Sequence, residues 1–99
     1  MNIRNLKSIR CRGTFIKHVI KKYNFKSYLE IGLSHNPLSP YRLIDDKEVN
    51  KCSIDLDEST NPDYCMKSVD FFNEIRNNKN HEYHGFKWDV IFVDGDHQS

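Results

Sequence analysis

Carboxylates and an imidazole crowd the last residues of this 99-residue chain. Val90-Ile91-Phe92-Val93 runs directly into Asp94-Gly95-Asp96-His97. Consecutive β-branched and aromatic residues suit a strand buried on both faces, as in a parallel sheet between helices. In open α/β sheets, ligands bind outside the carboxyl ends of the strands. A strand here would deliver Asp94, Asp96 and His97 to a site. The carboxylates could face a cation, and an imidazole with an unperturbed pKa of ~6.5 suits a general base. The alternative is a strand closing in an ordinary polar turn, because Asp-Gly is a common turn pair.

Two earlier stretches share this pattern of a strand delivering a polar group. Tyr28-Leu29-Glu30-Ile31-Gly32-Leu33-Ser34 reads as an apolar strand closed by a glycine. Glycine there allows close approach to the backbone, and the following segment can offer N–H groups to an anion. A plain glycine turn fits the same residues, and the dinucleotide pattern GxGxxG is absent. Next, Cys52-Ser53-Ile54-Asp55-Leu56 ends a second strand on a carboxylate. An acid about 20 residues beyond a glycine turn is placed to accept the hydroxyls of a ribose. The two features together point to a nucleoside-containing ligand across the first two strands.

The elements that must position these groups follow from periodicity. Ile3, Leu6 and Ile9 fall weakly on one helical face. Gly13 reads as a break and Thr14 as a cap for a helix carrying Phe15, Ile16, Val19, Ile20 and Tyr23 on its core face. Strands are expected near Ser27–Ile31, Cys52–Asp55, Tyr64–Lys67 and Trp88–Val93. A single helical turn over Tyr41–Ile44 can open no earlier than Pro40, since proline disfavours helix at the residue before it. Val69, Phe71, Phe72 and Ile75 predict a helix of about ten residues opening near Ser68, an N-cap residue type. A polar loop spans Asn77 to Gly85. Strands alternating with helices imply an α/β fold: a Rossmann-like three-layer sandwich on a parallel sheet in order 3-2-1-4. The fourth strand lacks a covering crossover after it, so the chain reads as the truncated N-terminal half of a larger domain, inactive alone.

Composition narrows the classes. Aromatics make up 12% of the chain, which argues against disorder despite a hydrophobic fraction of only 37%. No apolar run approaches the ~20 residues of a membrane span. Cys11, Cys52 and Cys65 are an odd count without CxxC spacing, read as reduced thiols of a cytoplasmic protein. Cys65 with His81 and His84 matches no zinc-finger spacing. Charge is uneven: residues 1–26 hold eight Lys or Arg and no acid, whereas residues 27–99 hold seven against fourteen Asp or Glu. The basic segment, residues 1–26, is read as a helical element with a solvated face, ahead of a body at 27–99. Nucleic acid is not expected as a partner, because Phe15 and Tyr23 are read as core and few aromatics remain to stack bases.

Taken in order, Glu30-Ile31-Gly32, Asp55, Ser68-Val69-Asp70-Phe71-Phe72 and Val90-Ile91-Phe92-Val93-Asp94-Gly95-Asp96-His97 resemble class I S-adenosylmethionine-dependent methyltransferases. They are most similar to small-molecule and sugar O-methyltransferases with an Asp-Gly-x-His motif. The resemblance covers Tyr28 to His97 and makes residues 27–99 a partial S-adenosylmethionine-binding domain. It implies that Glu30, Gly32 and Ser34 hold the methionine end of the cofactor and that Asp55 binds the ribose. Ser68 and Val69 would lie near the adenine. Asp94 would sit beside the sulfonium or, in metal-dependent relatives, ligate Mg²⁺, and His97 would be the catalytic base for a small-molecule acceptor. Asn36 stands where many relatives carry a second glycine, and Val69 where many carry an acid.

Two other classes compete. Asp94-Gly95-Asp96 also fits the Asp-x-Asp motif of nucleotide-sugar glycosyltransferases, where carboxylates hold a divalent cation against a diphosphate. A non-catalytic nucleic-acid or phosphate-binding module would work through the basic N-terminus, with residues such as Arg4, Lys7 and Lys21 on phosphates. The sequence leaves the acceptor and the oligomeric state open.

Overall fold

The computed structural model describes the backbone of residues 2–3, 9–33, 35 and 39–93, and side chains from Gly13 onward within those. The elements, in chain order, are β1 (Asn2–Ile3), α1 (Ile9–Tyr23), β2 (Ser27–Ile31), α2 (Pro40–Leu43), β3 (Asn50–Asp55), a 3₁₀ turn (Glu58–Thr60), β4 (Tyr64–Cys65), α3 (Ser68–Asn77) and β5 (Val90–Val93). The sheet order is β1-β5-β2-β3-β4, and every pairing is parallel. The four predicted strands are β2 to β5, so their order is the expected 3-2-1-4. β1 adds a short edge beside β5, pairing Asn2 with Ile91 and Ile3 with Phe92.

Strand alternation divides the core into two faces. Tyr28, Val90 and Phe92 point to one side and pack with Ile16 and Ile20 of α1 and with Ile44 and Val49. Leu29, Ile31, Cys52 and Ile54 point to the other and pack with Phe71 and Ile75 of α3. β2 is buried along its whole length, as a central strand between two covered faces must be. The amino ends of β2 and β5 are laced together by Asp89, whose Oδ2 accepts from the Lys26 N–H at 2.7 Å and whose N–H donates to Ser27 Oγ at 2.8 Å.

Several sequence expectations need correction. The first residues contain a strand, and α1 runs unbroken through Gly13, so neither the break at Gly13 nor the cap at Thr14 exists. A glycine inside a helix costs about 1 kcal/mol. Burying Ile16, Val19 and Ile20 at 7% exposure or less outweighs that cost. Phe15 and Tyr23 are not core: they are 45% and 55% exposed. α1 does end at Asn24, which takes a left-handed conformation at φ 55°. β3 starts at Asn50, two residues early, and β4 stops at Cys65. Ser68 is the first helical residue rather than the cap, which is Lys67 and makes no side-chain capping bond.

The polar loop after α3 is pinned by aromatics. Tyr83 lies 4.8 Å from Trp88 and 6.4 Å from Phe71 between ring centroids, and Phe86 lies 4.5 Å from Trp88. Helical periodicity could not reveal this, because these rings pack from irregular backbone.

Candidate functional site

The carboxyl ends of β2 and β3 meet at Asp55. Its Oδ2 accepts the Leu33 N–H at 2.7 Å, and its Oδ1 accepts the Asp57 N–H at 2.8 Å. Asp55 is 8% exposed. The carboxylate therefore ties the turn after β2 to the turn after β3. Each of its oxygens has a second lone pair with which to accept a hydroxyl. Gly32 lies between, at φ 89°, and its N–H donates to the Ile54 carbonyl at 2.9 Å. That φ is costly for any residue with a Cβ, so the turn that brings Leu33 onto Asp55 requires glycine here.

Glu30 lies one strand position pair inward on the α1 side. It is 1% exposed, and its Oε1 accepts from the Tyr28 hydroxyl at 2.6 Å and from the Tyr41 N–H at 2.9 Å. Bonded this way, the buried carboxylate anchors the start of α2. Tyr41 extends the link, its hydroxyl donating to Asp63 Oδ2 at 2.7 Å. The same oxygen accepts from the Ser53 N–H at 2.9 Å. Burial and the Asp63 charge push the Tyr41 phenol well above its ordinary value, so it remains a donor at neutral pH. Lys51 Nζ donates to the carbonyls of Tyr41 and Ile44 at 2.7 and 2.9 Å, closing the end of α2. Tyr41, Lys51 and Asp63 are site-supporting residues that sequence reading missed; nothing in their spacing shows that the crossover folds back onto β3.

Ser68 and Val69 open α3, directly after β4, the strand beside β3. Ser68 is 8% exposed and Val69 is 53% exposed. Leu56, next to Asp55, is also an exposed apolar side chain, at 48%. Thus Leu56 and Val69 present apolar surface at the same end of the sheet as Asp55. Ser34, Asn36, Asp94, Asp96 and His97 lie outside the described residues. β5, the strand that precedes Asp94 in the sequence, pairs with β2 from Tyr28–Val90 to Ile31–Val93, so β5 ends level with Ile31. β3 and β5 flank β2 on opposite sides. The chain leaves β2 toward β3 and later returns to β5, so the strand order switches direction there.

His35, Ser59 and Asp57 also meet on the rim. Ser59 Oγ is 3.3 Å from His35 Nε2 and donates to Asp57 Oδ1 at 2.6 Å; His35 Nε2 is 3.8 Å from Asp57 Oδ2. The composition is that of a nucleophilic triad, but the geometry is not. One imidazole nitrogen faces both partners, and the serine proton is committed to the carboxylate, so no base stands behind the serine. Asp57 instead caps the 3₁₀ turn through the Ser59 N–H, and the bonds from Ser59 hold its carboxyl below the ordinary value. His81 Nδ1 accepts the Tyr83 N–H at 3.0 Å, and His84 Nδ1 bonds the Ile75 carbonyl at 2.7 Å. Among the described residues no group of His, Cys, Asp and Glu could hold a metal ion, and no helix is long and apolar enough to cross a membrane.

No protein-family model, curated protein or solved structure matches the chain.

Proposed function

We propose that this protein is an S-adenosylmethionine-dependent methyltransferase acting on a hydroxyl of a small molecule or sugar. The observation that carries the reading is Asp55: a carboxylate at the end of β3, bonded to the Leu33 N–H just beyond Gly32, on a parallel sheet whose direction switches at β2. Ligands of open α/β sheets lie at such switch points. The residues fit the nucleoside. Asp55 has lone pairs for ribose hydroxyls, Gly32 keeps the backbone open to the amino-acid end, and Leu56 and Val69 offer apolar surface to a purine. Glu30 holds the start of α2 beneath them.

When bound, S-adenosylmethionine supplies an electrophilic methyl group. The chain's own residues would align it with the acceptor and exclude water, and His97 would take the acceptor's proton. Asp94 would lie beside the sulfonium or share a Mg²⁺ ion with the acceptor. The free thiols of Cys52 and Cys65 suit a reducing, cytoplasmic compartment.

Calorimetry of the intact protein with S-adenosylmethionine tests the reading. Binding is expected, weakened by about 1–3 kcal/mol in Asp55→Ala through loss of charge-assisted hydrogen bonds. Absence of binding, or equal affinity in the variant, would remove the proposal. Tight binding of a uridine diphosphate sugar with Mn²⁺, lost in Asp94→Asn, would transfer the case to a glycosyltransferase.

A further inference from the structure

We infer that the outer surface of α1 is a docking track for single-stranded nucleic acid, independent of the site at the carboxyl end of the sheet. Three observations converge on it. The first is charge: the first 26 residues carry eight basic side chains and no acid, while the rest of the chain carries twice as many acids as bases. Lys17, His18, Lys21 and Lys22 are all exposed. A polyanion is attracted to this helix and repelled by the remaining body, so the charge selects both the partner and the face it meets.

The second observation is aromatic. Phe15 and Tyr23, rings of a size normally used to fill a core, stand 45% and 55% exposed among those lysines. Phe15, His18 and Lys22 are spaced i, i+3 and i+7 and share one flank of the helix. At the helix end Tyr23 stacks on Phe25 with centroids 5.6 Å apart, and Lys22 Nζ lies 5.5 Å from the Tyr23 ring centre. Eight residues of helix put the Phe15 and Tyr23 backbones ~12 Å apart along the axis. Cations beside π-faces are what single-strand binders use: ammonium groups track phosphates while bases stack on the rings.

The third is shape. Lys17 and Lys21, spaced i and i+4, face a cleft of about 400 Å³ that continues past Asn24, Phe25 and Lys26 to Ile44 and Val49. It opens at the amino ends of β2 and β3, opposite Asp55. Asp45 and Glu48 also line it, so a phosphate chain entering it is drawn to the lysines and repelled by the acids.

An anionic membrane is the weaker match. Interfacial helices insert a continuous apolar face. Here that face, Ile16, Val19 and Ile20, is spent on the core at 0%, 5% and 7% exposure. Among the described side chains of α1, two separated rings are left outside.

The test is fluorescence anisotropy of a labelled single-stranded 12-nucleotide RNA with the whole chain, titrated with salt. Affinity should fall as salt rises, and Lys17→Ala/Lys21→Ala/Lys22→Ala should flatten the log–log slope by about 2, at ~0.7 per lost phosphate contact. Phe15→Ser/Tyr23→Ser should weaken binding about 30-fold or more, since stacking is worth ~1–3 kcal/mol per base and two rings are removed. Phe15→Tyr/Tyr23→Phe, which keeps both rings, should bind like wild type. All these side chains are exposed, and an unchanged denaturation midpoint in each variant verifies the fold. The inference is overturned if the lysine variant keeps the wild-type slope or if the serine variant keeps the wild-type affinity. It is equally overturned if an RNA duplex binds as tightly as the single strand, or if phosphatidylserine vesicles bind more tightly than RNA. No arm of the experiment involves S-adenosylmethionine.

Discussion

Replacing Asp55 by asparagine removes one negative charge and almost no volume, which isolates what the carboxylate does for the fold. In the wild type both oxygens accept backbone N–H groups, from Leu33 at 2.7 Å and Asp57 at 2.8 Å. Asparagine keeps one acceptor oxygen and turns its NH₂ toward the other donor. The cheaper orientation leaves the oxygen on Leu33, because Leu33 is 5% exposed whereas Asp57 is open to water, which can take over its N–H. One bond then loses its charge assistance and the other is exchanged for water. With charged hydrogen bonds worth about 1.5–3 kcal/mol and neutral ones about 0.5–1.5, the net loss is ~2.5–4.5 kcal/mol. Urea denaturation followed by circular dichroism at neutral pH reads it directly, with the m-value unchanged if the folded ensemble is otherwise preserved. Asp55→Ala should cost more, because the Leu33 N–H is then buried without a partner. A loss below ~0.5 kcal/mol for Asn, in the range of ordinary surface substitutions, would refute the cross-link between the two turns. So would faster hydrogen exchange at Asp57 with none at Leu33 in Asp55→Ala.

Three further outcomes are expected. In the intact protein, His97→Ala should lower methyl transfer about 10²–10⁴-fold while leaving S-adenosylmethionine affinity nearly intact, because a base acts on the acceptor; unchanged turnover would remove His97 from the mechanism. Cys52, 1% exposed, has its thiol pushed up to about 12 by burial, reinforced by the Asp63 charge, from an ordinary 9.0. The unfolded chain releases this proton first, so stability should fall as pH rises above the ordinary thiol value and through the folded one. In a Cys11→Ser background at pH 8, a chromogenic disulfide should modify the exposed Cys65 quickly and Cys52 only on unfolding; equal rates would contradict this burial.

The sequence by itself determined the α/β class, the parallel order of β2 to β5 and the placement of Gly32 and Asp55 at strand ends. Each is encoded locally: Tyr28-Leu29-Glu30-Ile31 and Val90-Ile91-Phe92-Val93 are apolar runs that only a doubly covered strand can bury, and Gly32 and Asp55 follow their strands directly. Tertiary structure decided which groups those residues meet. Glu30 looks from sequence like a ligand-facing acid, yet its carboxylate is enclosed by Tyr28 and by Tyr41, eleven positions on. Asp63 and Lys51 act on α2 from β3 and its following turn, a contact created by the crossover and absent from any local pattern. Periodicity also set Phe15 and Tyr23 among the core residues of α1, because it measures spacing along one helix. How wide a stripe the sheet covers, and how far the helix overhangs it, depends on the packed partner. Only that partner left the two rings outside among the lysines.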